Sequence, residues 1–243
     1  MKEIQLGPLT VQLAGGEDRE GGGNGPVVIL MHGFGAPAGD LVPLWRTLPV
    51  PREVRFVFPA GPLELEPGAP AAFAPRAWWM IDVARLQARA MSGDLEPLFD
   101  EVPQGLAAAR AAVTGMLDDL QTKLGVSSER VILGGFSQGA MLATDVVLRD
   151  KHAFAGLVIL SGTLIARREW SELMPARRGL PVLQSHGRAD PILPFAAAER
   201  LHAALSDAGL STEFVRFNGG HAIPDQALDR LSALIAKVFD EKP

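Results

Sequence analysis

Residues 130–150 read RVILGGFSQGAMLATDVVLRD. The opening run, RVILGG, is short and aliphatic, as expected of a strand buried on both faces of a sheet. Residues 138–150 read as a helix. Between them Gly135-Phe136-Ser137-Gln138-Gly139 matches the pattern G-x-S-x-G. The pentapeptide alone is a weak signal, but its place between a strand and a helix is the setting the pattern requires. A strand that turns directly into a helix forces the serine into a strained backbone conformation. Glycine two positions to either side leaves room for it. The hydroxyl then projects from the carboxyl edge of the sheet, where open α/β sheets bind ligands. The first N–H groups of the helix have no partner within it, and the positive end of its dipole favours negative charge. The N–H of Gln138 is therefore an expected donor to an oxyanion.

The same alternation extends outward along the chain. Strands are expected at PVVILMHG (26–33), REVRFVFP (52–59), FAGLVILSG (154–162), LPVLQSHG (180–187) and TEFVRF (212–217). Helices are expected over 102–125, 194–210 and 224–241. This order predicts an α/β fold with a mostly parallel central sheet and helices on both faces. The 243 residues suit a single domain, with an irregular insertion at about 60–102 that is Pro/Ala-rich and carries the pair Trp78-Trp79. Residues 15–25, GGEDREGGGNG, do not form a phosphate-binding loop, because no Gly-Lys-Ser/Thr follows. They read as a flexible turn between two edge strands.

Composition narrows the function. Hydrophobic residues make up 47% of the chain and charged residues 21%, with a formal charge of −5. No basic stripe is present to neutralise phosphates, so no nucleic-acid partner is expected. There is no cysteine, which excludes disulfides, thiol nucleophiles and Cys-ligated metals. No H-E-x-x-H pattern or comparable ligand cluster points to a metal, and no cofactor is expected. The start, MKEIQLGPLT, does not read as a secretory signal, and no apolar run approaches the roughly 18 residues of a membrane span. The cytoplasm is the expected location.

Met31-His32-Gly33-Phe34-Gly35 ends the early strand. Such a turn lets a backbone N–H, that of Phe34, approach the same oxyanion as Gln138. His32 is read as ordering this loop through its ring. With a serine of this kind, an acid and then a histidine follow in chain order. His152 lies beside charges at a helix end and His202 inside a helix. His186 precedes the candidate acid. His221, in FNGGHAIP, stands in a glycine-rich loop after the last strand and is the expected general base. Asp190, in SHGRADP, is the expected acid, holding the imidazole tautomer and stabilising the imidazolium. Asp145 and Asp150 belong to the helix after the serine, and Asp225 reads as a first-turn residue of the last helix.

Taken jointly, LMHGFG, GGFSQGA, SHGRADPILP and GGHAIP resemble the phospholipase/carboxylesterase family of α/β-hydrolases, from about Val27 to the C-terminus. The resemblance implies a catalytic triad of Ser137, Asp190 and His221 and an oxyanion hole from the N–H groups of Phe34 and Gln138. It implies hydrolysis of carboxylic esters, including lysophospholipids or acyl thioesters, without metal or cofactor. Other functions compatible with the fold are an amidase or peptidase and a non-catalytic binding protein. PRAWWMID (75–82) resembles the family's tryptophan-bearing loop, but its surroundings differ from those of the thioesterases. Two readings are open for Trp78 and Trp79: lining of an acyl pocket, or core. An exposed tryptophan would equally suit a dimer face or a lipid surface. The expected partner is a small ester or thioester, and the chain is a monomer or a homodimer.

Overall fold

Successive residues of the central strands point to opposite faces of one sheet, and both faces are covered. Ile29, Leu133 and Ile159 pack into one hydrophobic cluster, and their neighbours Val28, Ile132 and Val158 into the other. The computed structural model describes residues 1–93 and 95–240. In chain order the elements begin with β1 (Lys2–Leu6), β2 (Leu9–Gly15), β3 (Val27–Met31), α1 (Leu44–Thr47) and β4 (Arg55–Pro59). There follow β5 (Leu63–Glu64), β6 (Arg76–Ala77), α2 (Val83–Ser92), α3 (Glu96–Asp100) and α4 (Leu106–Leu124). The second half holds β7 (Val131–Phe136), α5 (Gln138–Arg149), β8 (Gly156–Leu160), α6 (Arg167–Leu173), β9 (Pro181–Gly187), α7 (Phe195–Asp207), β10 (Ser211–Phe217) and α8 (Asp225–Asp240).

The large sheet has the order β1-β2-β4-β3-β7-β8-β9-β10. From β4 to β10 all neighbours are parallel, while β2 runs antiparallel to both β1 and β4. One face is covered by α4, α5, α6 and α7, the other by α1 and α8. This is the mostly parallel sheet with helices on both faces expected from the alternation of strands and helices.

Several expectations need correction. Residues 16–26 do not join two edge strands. They lead from β2, second from the edge, to β3, which lies between β4 and β7. The helix expected from residue 102 begins at Leu106, because Pro103 and Gly105 (φ 94°) precede it. The strand expected from residue 52 begins at Arg55, after a turn. The last helix reaches Asp240, and residue 241 lies outside the described residues. The stretch 60–102, expected as irregular, holds the β5–β6 hairpin and helices α2 and α3.

Asp145, wholly buried in α5, explains itself structurally rather than catalytically. It accepts hydrogen bonds from Arg110 at 2.5 Å, Arg149 at 2.8 Å and the Trp170 indole at 2.9 Å, joining α4, α5 and α6. A buried carboxylate is tolerated when its lone pairs are taken up in this way.

Candidate active site

Ser137 stands between the end of β7 and the start of α5 with φ 54° and ψ −116°. A non-glycine residue there is uncommon and strained, and the elbow is held by the Ser137 N–H donating to the Leu160 carbonyl at 2.8 Å. The flanking glycines answer a packing demand. A Cβ on Gly135 would lie 2.6 Å from the Met31 oxygen, and one on Gly139 would strike the same carbonyl. The start of α5 can thus press against the end of β3 only because both positions lack a side chain. Gly33 is drawn in as well, since a Cβ there would come 3.4 Å from the Ser137 Cβ.

The turn after β3 is stitched in place. His32 is buried, its Nε2 accepts the Gly61 N–H at 2.9 Å, and its Nδ1 lies 2.8 Å from the Gly33 carbonyl. The pairing assigns the proton to Nδ1 and a neutral ring, and burial pushes the ring's pKa down in the same direction. Gly35 donates to the Arg76 carbonyl at 2.8 Å, and the Arg76 guanidinium donates to the Gly61 carbonyl at 2.6 Å. Among the described residues, no protein acceptor takes the N–H of Phe34 or of Gln138. These are the two donors expected to face an oxyanion.

Gln138 does more than its backbone suggests. Its side chain is wholly buried, with Oε1 accepting the Trp78 N–H at 2.9 Å and Nε2 donating to the Trp79 carbonyl at 2.8 Å. The Trp78 indole donates to the His32 carbonyl at 2.9 Å. The segment carrying the two tryptophans is therefore bolted to both halves of the prospective oxyanion hole.

Asp190 lies in the loop after β9, its side chain wholly buried. Oδ2 is 2.7 Å from His221 Nδ1, and Oδ1 accepts the N–H groups of Ile192 at 2.8 Å and Leu193 at 2.9 Å. His186 was not anticipated here. Its Nε2 lies 2.8 Å from the Leu193 carbonyl and 3.3 Å from Asp190 Oδ2. Burial pushes the Asp190 carboxyl up, but hydrogen bonds from His186, His221 and the Leu193 N–H outweigh it and hold the group well below the usual carboxylate range.

His221 sits in the loop between β10 and α8. This loop is laced to the Asp190 loop by Ala189 N–H to the Gly219 carbonyl at 3.0 Å and Arg188 N–H to the Phe217 carbonyl at 2.9 Å. A Cβ on Gly187 would strike the Gly219 and Gly220 carbonyls, so the two loops meet backbone to backbone. The His221 ring packs 4.7 Å from that of Phe136, the residue before Ser137. Asp190 and His221 are thus directly bonded and the imidazole lies alongside the serine elbow. Among the described residues no hydrogen bond joins the Ser137 hydroxyl to His221. No group of three or more His, Asp or Glu side chains among the described residues is placed to hold a metal ion.

A cavity of about 290 Å³ adjoins these residues, walled by Trp79, Leu98, Phe99, Met141, Ile165 and Leu193. Ser137, Asp190 and His221 do not line it, but its wall touches them: the Leu193 N–H donates to Asp190 and the Met141 N–H to the Ser137 carbonyl at 3.2 Å. Trp79 lines it, whereas Trp78 does not and is core. All four tryptophans are buried, so none forms an exposed face. The α3 wall is held by ion pairs: Arg167 with Asp100 at 2.6 Å and with Glu96 at 2.8 Å, and Arg200 with Glu96.

Comparison with known proteins agrees with this architecture. The family model described as Phospholipase/Carboxylesterase matches residues 20–239. Acyl-protein thioesterase 1 of Eremothecium gossypii is 32% identical over 222 residues, covering 88% of this chain and 89% of that protein. A probable carboxylesterase of Oryza sativa subsp. japonica is 31% identical over 206 residues, covering 83% of each. The crystal structure of esterase PE8 superposes with a TM-score of 0.74 at 26% identity, over 97% of this chain and 100% of that one. The chain belongs to the phospholipase/carboxylesterase family of α/β-hydrolases and is an esterase-type hydrolase.

Proposed function

We propose that Ser137 is the nucleophile with which this hydrolase opens carboxylic esters and thioesters, with His221 as general base and Asp190 as its partner. The observation that carries the reading is the 2.7 Å contact between Asp190 Oδ2 and His221 Nδ1, at the sheet edge where Ser137 stands with φ 54°. A carboxylate on Nδ1 leaves Nε2 as the basic nitrogen, which is the tautomer a base needs. Catalytic hydrogen bonds are often long before substrate binds, and closing onto the Ser137 hydroxyl is the part of the cycle assigned to the Michaelis complex.

In the first step the Ser137 oxygen attacks the acyl carbon while His221 takes its proton. The oxyanion accepts hydrogen bonds from the N–H groups of Phe34 and Gln138. The tetrahedral species collapses, His221 gives the proton to the departing alcohol or thiol, and the acyl group remains on Ser137. Water then repeats the sequence and frees the acid. Each oxyanion donor of this kind is worth about 10²–10³ in rate.

The cavity beside the site is proposed to take the acyl chain. A cavity of ~150 Å³ holds a benzene molecule. On that measure the space walled by Trp79, Phe99 and Met141 takes a chain of roughly ten carbons. Turnover of p-nitrophenyl acetate and longer esters, and labelling by a fluorophosphonate, test the assignment. Both are expected to vanish in Ser137→Ala, and retention of full activity by that variant would overturn it. Amides of the same acyl groups, run in parallel, are expected to turn over far more slowly.

A further inference from the structure

The sheet edge opposite Ser137 carries a second depression that ester hydrolysis does not use. The start of β4 lies beside the start of β3, with Arg55 opposite Val27, at the amino edge of the parallel strands. Ser137 follows the last residue of β7, at the carboxyl edge. At the amino edge, between the end of β2, helix α1 and the start of β4, lies a groove of about 320 Å³ whose charged lining consists of Arg19, Arg46 and Arg52.

These three arginines share one groove whose lining offers them no acidic partner. Elsewhere Arg76 faces Glu64, Arg110 faces Asp145, Arg167 faces Asp100 and Arg216 faces Glu199. Among the described residues, Arg19, Arg46 and Arg52 have no carboxylate within ion-pair distance, and no carboxylate lines the groove. The acidic side chains beside Arg19 are engaged elsewhere. Asp18 accepts the N–H groups of Glu20 and Gly22 at 2.7 and 2.8 Å, and Glu20 faces the N-terminal amine at 3.3 Å.

The guanidiniums are also positioned. Those of Arg19 and Arg46 lie 4.8 and 5.3 Å from the centre of the Trp45 ring, and Arg52 donates to the Glu17 carbonyl at 3.3 Å. An arginine held against an aromatic face keeps its N–H edge free for a planar or tetrahedral anion and loses less freedom on binding. Guanidinium forks match phosphate oxygens in pairs. Three cationic charges in one groove exceed what a single carboxylate neutralises, whereas a phosphate monoester carries about −1.5 to −2 near pH 7.

We propose that this groove is a binding site for a phosphate monoester group, separate from the hydrolytic centre. It requires nothing of how Ser137 reacts. The test uses the full chain in two arms at fixed ionic strength. In the first, inorganic phosphate is titrated calorimetrically against a chloride control. In the second, co-sedimentation is measured with phosphatidylcholine vesicles, with and without phosphatidic acid. The same measurements are made on Arg19→Gln, Arg46→Gln and the fork-removing Arg46→Lys, with p-nitrophenyl acetate turnover as the check that each variant is folded.

Saturable phosphate binding that weakens by roughly fivefold for each guanidinium removed, the upper end for an exposed ion pair, supports a site for free phosphate esters. Binding to phosphatidic acid vesicles without free-phosphate heat, lost in the same variants, supports a lipid headgroup as the source. No saturable signal in either arm, or binding unchanged in the variants while turnover stays intact, overturns the proposal.

Discussion

The hydroxyl of Ser161, directly after β8, donates to the carbonyl of Ala222, 3.1 Å away, and Ala222 is the residue that follows His221. Ser161 is itself buried with φ 49°, so the loop bearing the proposed base is tethered to a strand end that has little freedom. In Ser161→Ala that tether is gone while the reacting groups remain. The expected outcome is a fall in kcat of roughly three- to tenfold, the scale of one net hydrogen bond of about 1 kcal/mol. KM for a short ester should stay within about twofold. A rise in KM with unchanged kcat would show that the tether positions substrate rather than His221.

Asp190 links reactivity to acid stability. Asp190→Asn is expected to lower kcat by about 10⁴, as for removal of the carboxylate from a comparable triad. The carboxyl is held well below its ordinary range in the folded chain, so the unfolded chain binds the proton more readily. The resulting stabilisation is fully present above the unfolded value of about 3.9 and is lost as the pH falls below it. Thermal melts from pH 6 to pH 3 should therefore show the gap in Tm between the unaltered chain and Asp190→Asn narrowing below about pH 4. A constant gap would mean that Asp190 is not the titrating group.

Gln138→Leu keeps the backbone N–H that is proposed to meet the oxyanion but removes both side-chain bonds to the tryptophan segment. It leaves the Trp78 N–H and the Trp79 carbonyl buried without those partners, at a cost of about 2–6 kcal/mol for the two. Calorimetry should register a Tm lower by several degrees, given roughly 2–4 °C per kcal/mol at this chain length. Cavity walls anchored by Trp79 should loosen at the same time, so discrimination between long and short esters should fall.

Met141 and Leu98 face the cavity from α5 and α3, so Met141→Trp or Leu98→Trp should fill it. Decanoate ester turnover is expected to fall by roughly five- to a hundredfold relative to acetate, since overfilling a packed space costs about 1–3 kcal/mol. An unchanged ratio would move the acyl chain elsewhere on the surface.

The elbow was legible because two local patterns meet there, an aliphatic strand and a helix with glycines on either side of Ser137. Asp190 and His221 were legible because each follows a strand, so chain order alone placed them at one edge. His186 was not. Its role depends on β9 burying it against the turn that returns to Leu193, and nothing in SHGRADP distinguishes a buried ring from a solvated one. The Gln138 side chain was missed for a similar reason: its partners, Trp78 and Trp79, are some sixty positions away. Helices α2 and α3 were hidden by proline and alanine content, which masks periodicity. Their docking rests on ion pairs such as Arg167 with Asp100, set by tertiary contact rather than local pattern.

Serine, aspartate and histidine hang from strand ends, whereas much of the cavity wall comes from α2, α3 and their flanks, which belong to no strand of the main sheet. On the proposed roles, selectivity and reactivity are thus written in different parts of the chain. Substitutions in the 80–104 stretch are expected to alter acyl preference while leaving the chemistry proposed for Ser137, Asp190 and His221 intact. Grafting that stretch between relatives should transplant preference without transplanting chemistry.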